Sequence, residues 1–195
     1  MSLPEARKQN ESITMVWTVT PECPGNFSDC FEPIEGVEMV SQLICENQEW
    51  RKLPEEAYQC LRDNLKPKPF VMEIVNGWKQ KLGNDYVALH VRRTDYIAHA
   101  QRFGGAPAMT EYYNLAKPFS SEPLFLATDN RWTQCEFEKV YGDRVHFIPI
   151  VPSENLRQTS LLNAVVDLYI CVGAKHFIGS PWSSFTRVIS ELRKN

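Results

Sequence analysis

The chain has 195 residues, a mass of 22.5 kDa and a formal charge of −3. With 43% hydrophobic and 23% charged residues it has a globular composition, sized for one domain or one domain plus part of another, and global disorder is excluded. The mild acidity argues against a general nucleic-acid binder while leaving room for a local cationic pocket, and no apolar run reaches the roughly 20 residues of a membrane helix.

The first element is the β-favouring run ITMVWT at residues 13–18. PECPGNFSDCFEP follows as a loop, and residues 34–66 show no clean period. From Pro67 the pattern sharpens. Phe70, Ile74, Trp78 and Leu82 recur every fourth residue along one helix face, and Gly83 ends it. YVALHV at 86–91 is a strand, 96–108 a long loop with Gly104 and Gly105, and 110–116 a short helix opened by Thr110. LFLA at 124–127 is a strand, and a helix capped by Asn130 runs over 131–141 and stops at Gly142. A strand covers 145–150, an apolar helix about 159–171, and KHFIG at 175–179 is the last strand. Ser183 or Ser184 caps a final helix reaching Leu192. Four apolar strands alternating with helices predict an α/β, Rossmann-like parallel sheet covered on both faces, with ligands at the carboxyl ends of its strands.

The six cysteines, Cys23, Cys30, Cys45, Cys60, Cys135 and Cys171, contain no CxxC pair and so no zinc signature. MSLPEARKQNES carries no apolar core, so reduced thiols and a cytoplasmic location are expected, with the sequons at Asn10 and Asn26 as chance matches.

Polar residues collect after three of the strands. In His90-Val91-Arg92-Arg93-Thr94-Asp95, extended alternation would put His90, Arg92 and Thr94 on one side and Arg93 and Asp95 on the other. An Arg leaving a parallel strand suits the fork geometry of a phosphate, and a structural Arg–Asp pair suits it equally. Asp129 and Asn130 follow the second strand, where helix capping is the stronger expectation. The turn Gly179-Ser180-Pro181-Trp182-Ser183-Ser184-Phe185 opens a helix, as a simple cap or as an anion site. Asp167 lies among Val165, Val166 and Leu168, either as a surface acid or as a buried acceptor for a base or sugar. GxGxxG, GxxxxGK[ST] and GxSxG are all absent.

HVRRTD, then LATDN, then DLYICVGAKHFIGSPWSSF resemble, in order, the peptide motifs of GDP-fucose-dependent fucosyltransferases, over about residues 86–190. That group includes core α1,6-, bacterial nodulation, α1,2- and protein O-fucosyltransferases. The resemblance implies a GT-B architecture and inverting transfer of fucose from GDP-fucose to a glycan or protein hydroxyl, without a metal or other cofactor. It implies that His90 contacts the nucleotide, Arg92 the β-phosphate, Asp167 the guanine, and Ser183, Ser184 and the backbone of Phe185 the phosphates. Asp129 matches the acid of the second motif, with Arg93 and Asp95 in support.

Two departures stand out. Core α1,6 enzymes carry a Glu shortly after the first motif, where this chain reads YIAHAQRF, and His99 is the one substitute for a general base. The family's Gly-rich loop has no counterpart, since no Gly precedes Gly25 and ARKQNES matches only the tail of the following helix. Residues 1–66 are therefore expected to be a remnant of an acceptor-side domain, and 67–195 the nucleotide-sugar domain, in a fragment or a short homologue. An exposed sheet edge then makes a homodimer an expectation. The alternative to an active transferase is a GDP-binding module without turnover.

Overall fold

The computed structural model describes residues 13–19, 25–43, 55–151 and 159–194. Ile13–Val19 forms strand β1, Phe27–Cys30 the single-turn helix α1 and Val37–Leu43 strand β2. β1 and β2 pair in parallel from Ile13–Val37 to Val19–Leu43, a sheet of their own. Within the loop expected after β1, Phe27 and Phe31 are buried and stack at 4.9 Å. ARKQNES, Cys23 and Cys45 lie outside the described residues; Cys30, Cys60, Cys135 and Cys171 are free thiols.

Helix α2 (Glu55–Asn64) falls in the stretch without a clean period, and α3 (Pro69–Leu82) matches the expected four-residue repeat. The face is turned from the expected one: Val71, Val75 and Leu82 are buried, while Phe70 and Ile74 are exposed. Pro69 starts the helix where its missing N–H is not needed, and Gly83 ends it at φ 77°.

The second sheet holds β3 (Val87–Val91), β4 (Leu124–Thr128), β5 (Val145–His146) and β6 (His176–Gly179), all parallel, in the order β5-β4-β3-β6. Every residue of β3 and β4 is buried, as expected of a sheet covered on both faces. Between the strands run α4 (Tyr96–Ala100), α5 (Met109–Ala116), α6 (Arg131–Tyr141) and α7 (Leu161–Gly173), and α8 (Ser184–Leu192) closes the chain. α5 opens at Met109 rather than being capped by Thr110: the Glu111 carboxylate accepts the Ala108 N–H at 2.7 Å. Asn130 and Ser183 do cap α6 and α8, accepting the N–H of Thr133 and Thr186.

Two apolar layers clasp this sheet. One holds Val71, Val75, Tyr86, Phe125, Val165 and Ile170, with Phe27, Cys30 and Phe31 from the first segment in the same cluster. The other holds Val87, Leu89, Tyr112, Leu126 and Phe137. Each fully buried Leu, Val or Phe contributes about 1.5–3 kcal/mol of transfer free energy.

A charged cluster joins α2 to α8. Glu191 is 1% exposed and its carboxylate meets Arg62 at 2.6 Å, Arg187 at 2.7 Å and Lys194 at 2.7 Å. The hydrogen bond from Lys194, with the charges of Arg187, Lys194 and Arg62, holds this carboxyl below the ordinary 4.5 against the opposing effect of burial. Its stabilisation is present above pH 4.5 and is lost as pH falls through the lowered native value. Glu191→Gln is expected to cost about 2 kcal/mol at neutral pH, lowering the melting temperature by about 4–8 °C. Thermal melts should show the two proteins converging in acid; a gap that persists unchanged there would refute this account.

Candidate functional site

The order β5-β4-β3-β6 creates a switch point. The chain leaves β3 toward β4 on one side, and β6 returns on the other. Such a point opens a crevice at the carboxyl ends of the strands. A cavity of about 850 Å³ lies there, walled by the segments after β3, β4 and β6 and by the start of α7 and of α8.

His90 is the fourth residue of β3 and is 5% exposed. Its Nδ1 lies 2.7 Å from Thr186 Oγ1, and its ring is 4.8 Å from that of Phe185. Burial, helped by the charge of Arg92, depresses its pKa to about 3, so the ring is neutral at physiological pH. Gly179 makes the contact possible, because a Cβ there would collide with the Thr186 side chain.

β3 ends at Val91 and the chain turns at Thr94-Asp95, so the expected alternation stops before it reaches them. Arg92 and Asp95 therefore meet instead of facing apart. Arg92 Nε donates to Asp95 Oδ1 at 3.2 Å, and Nη2 donates to both carboxylate oxygens at 2.9 Å. Nη1 takes part in none of these bonds. Both residues line the cavity, and the expected structural Arg–Asp pair is present.

Asp129 does not cap α6; that role belongs to Asn130. Asp129 accepts the N–H of Arg93 at 2.8 Å, the N–H of Thr94 at 3.3 Å and the Thr94 hydroxyl at 2.5 Å. It clamps the turn that carries Arg92. Arg93 points to the aromatic side, 5.8 Å over the Tyr112 ring, and does not line the cavity.

Ser180 was not singled out by spacing, yet it is fully buried and ties the two walls together. Its hydroxyl donates to the His90 carbonyl at 3.0 Å, accepts the Arg92 N–H at 2.9 Å and lies 2.7 Å from Tyr112 Oη. The only signal available in advance was its place at the end of a strand. Tyr96 holds the next residue, donating to the Pro181 carbonyl at 2.5 Å. Trp182, at φ 58°, is the one non-glycine with positive φ among the described residues.

Ser183, buried, is the α8 cap, while Ser184 is exposed at the first helical position and Phe185 is half-buried. All three line the cavity, and the first N–H groups of the nine-residue α8 give that wall a positive end. His99 also lines the cavity; it is exposed on α4 with its ring 5.4 Å from that of Phe103.

Asp167 also lines the cavity, 7% exposed, on the second turn of α7. Its Oδ1 has no hydrogen-bond partner among the described residues, and neither has the hydroxyl of Thr159, which lines the same cavity. Burial raises the Asp167 pKa well above 3.8. Asp167 is therefore a buried acid and not the surface acid of the other expectation. A smaller cavity of about 210 Å³ adjoins, sharing Thr128, Thr159, Ser160 and Asp167.

The crevice of this parallel α/β sheet thus brings a helix start and a buried, unpartnered carboxyl to one cavity at the carboxyl ends of the strands. A family model described as GDP-fucose protein O-fucosyltransferase matches residues 7–195, and the chain belongs to that family. Among curated relatives, GDP-fucose protein O-fucosyltransferase 2 of Drosophila melanogaster is 28% identical over 135 residues, 65% of this chain and 27% of the relative. The Homo sapiens protein of that name is 32% identical over 116 residues, 58% of this chain and 27% of the relative. The chain thus spans about a quarter of the length of these curated relatives. The solved α1,6-fucosyltransferase NodZ soaked with GDP-fucose superposes with a TM-score of 0.63 at 17% identity, covering 97% of this chain and 85% of that one. POFUT1 in complex with GDP-fucose gives 0.54 at 14% identity, covering 83% and 51%. At these identities the solved structures establish the shared α/β fold.

Proposed function

We propose that the crevice binds GDP-fucose and serves inverting transfer of fucose to a hydroxyl of a protein or glycan acceptor. The observation that carries this reading is the buried, unpartnered Asp167 oxygen on the same cavity as Arg92 and the α8 N-terminus. A guanine supplies N–H donors for the first, and a diphosphate supplies anionic oxygens for the second. His90, neutral and held by Thr186, packs against the nucleotide. Ser183, Ser184 and the Phe185 backbone receive the phosphates. Asp95 and Asp129 hold Arg92 and its turn in position, and Arg93 supports that turn from its aromatic side.

In the transfer, the acceptor oxygen bonds to C1 of fucose as the bond from C1 to the β-phosphate oxygen breaks. The departing GDP keeps the electron pair. Arg92 and the α8 N–H groups stabilise the charge that grows on the phosphate, so the reading invokes no metal. His99 takes the acceptor proton. The stretch after the first motif offers no carboxylate for this step, which favours a donor-binding module without turnover as the second reading.

Titration calorimetry with GDP and GDP-fucose tests the first level. Saturable binding of both is expected, and no GDP binding at millimolar ligand would remove the reading. Release of fucose or its transfer to an acceptor separates the enzyme from the silent module.

A further inference from the structure

Arg92 and Arg187 are the two Arg or Lys side chains on the described walls of the cavity. Arg92 already shares its charge with Asp95. A nucleotide-sugar diphosphate brings roughly two negative charges, and more as its sugar leaves. One half-neutralised arginine is therefore a poor match for that load.

Arg187 is available to make up the difference. It lies in the first turn of α8, with a side chain 52% exposed. Its guanidinium rests on Glu191 at 2.7 Å and lies 4.8 Å over the Tyr58 ring. Glu191 keeps two other cations without it, because Arg62 and Lys194 bind the other carboxylate oxygen at 2.6 and 2.7 Å. Glu55 adds a second carboxylate, facing Arg62 at 3.2 Å and Lys194 at 3.9 Å. Three cations thus surround two carboxylates. Arg62, only 7% exposed, and Lys194 each reach both carboxylates, whereas Arg187 meets Glu191 alone and lies on the cavity wall, so the surplus cation is Arg187.

We propose that Arg187 is a second phosphate-binding residue, which turns from Glu191 to the diphosphate of the bound nucleotide. Glu191 then stays neutralised by Arg62 and Lys194, so the turn leaves no buried charge unpaired. This inference rests on the GDP-fucose reading above.

The test compares wild type, Arg187→Gln and Arg187→Lys for binding of GDP and of guanosine, with salt dependence measured for GDP. Arg187→Gln is expected to weaken GDP about 10-fold or more, to leave guanosine within about twofold, and to flatten the salt dependence. Arg187→Lys should recover part of the GDP affinity, because it keeps the charge but not the fork. Equal GDP binding by Arg187→Gln and wild type would overturn the proposal while leaving the donor reading intact. So would a parallel loss of guanosine in both variants, which marks general damage to the wall. Absence of GDP binding by the wild type would remove both.

Discussion

Asp167→Asn is expected to make the protein more stable and to weaken GDP binding at least about 100-fold. The two effects share one cause. The native pKa of Asp167 is raised by burial above the ordinary 3.8, so the folded state holds its proton where the unfolded chain has lost it. Stability therefore falls as pH rises above 3.8, and the penalty is complete once pH passes the raised native value. An amide of the same shape carries no such penalty. Melting temperatures should favour the Asn variant by about 2–8 °C near pH 8, from about 1–2 kcal/mol, with the gap closing in acid. A guanine edge donates two N–H groups to a carboxylate, while an amide offers one acceptor and one clashing donor. An Asn variant that binds GDP as wild type does would remove Asp167 from the base site.

Arg92→Ala is expected to weaken GDP about 100-fold and to slow any fucose transfer by a further roughly 100–1,000-fold. The larger kinetic loss follows from charge that develops only as the leaving group departs. Guanosine binding should be spared, since it carries no phosphate. Ser180 and Asp129 hold the backbone at residues 92–94, so the turn survives the truncation. Arg92→Lys should restore charge but little of the rate. Equal losses of GDP and guanosine would mean that the wall itself had shifted.

Much of the fold is legible in the amino-acid order because its signals are local. β3 and β4 are apolar runs broken only by His90 and Thr128, and α6 and α8 open on Asn130 and Ser183, which cap them. The misses have tertiary causes. VEMVSQL mixes polar with apolar residues and becomes β2 by pairing with β1. α2 is held to α8 through Arg62 and Glu191, not through an apolar stripe alone. The expected strand at 145–150 pairs only at Val145 and His146; Ile148 and Ile150 instead bond to Gln134 of α6 through their backbone. YIAHA, read as loop, winds into α4 before Gly104 turns left-handed at φ 97°.

The site divides in the same way. His90, Arg92, Asp167 and the Ser183–Phe185 turn converge on one cavity because all follow or face the carboxyl ends of neighbouring parallel strands. What spacing could not reach is set by strand order. Ser180 bonds across to the end of β3 because β6 lies beside it, and Asp129 reaches the Arg93 turn because β4 lies on the other side.

The aromatic stack of Phe27 and Phe31 has a consequence for dissecting the protein. These rings belong to the same core as Val75 and Val165, and the Lys68 N–H bonds the Cys30 carbonyl at 2.8 Å just before α3 begins. A cut at the 66/67 junction would remove Phe27, Cys30 and Phe31 from the core that packs on the sheet. One continuous apolar core thus runs across the boundary that motif similarity suggests.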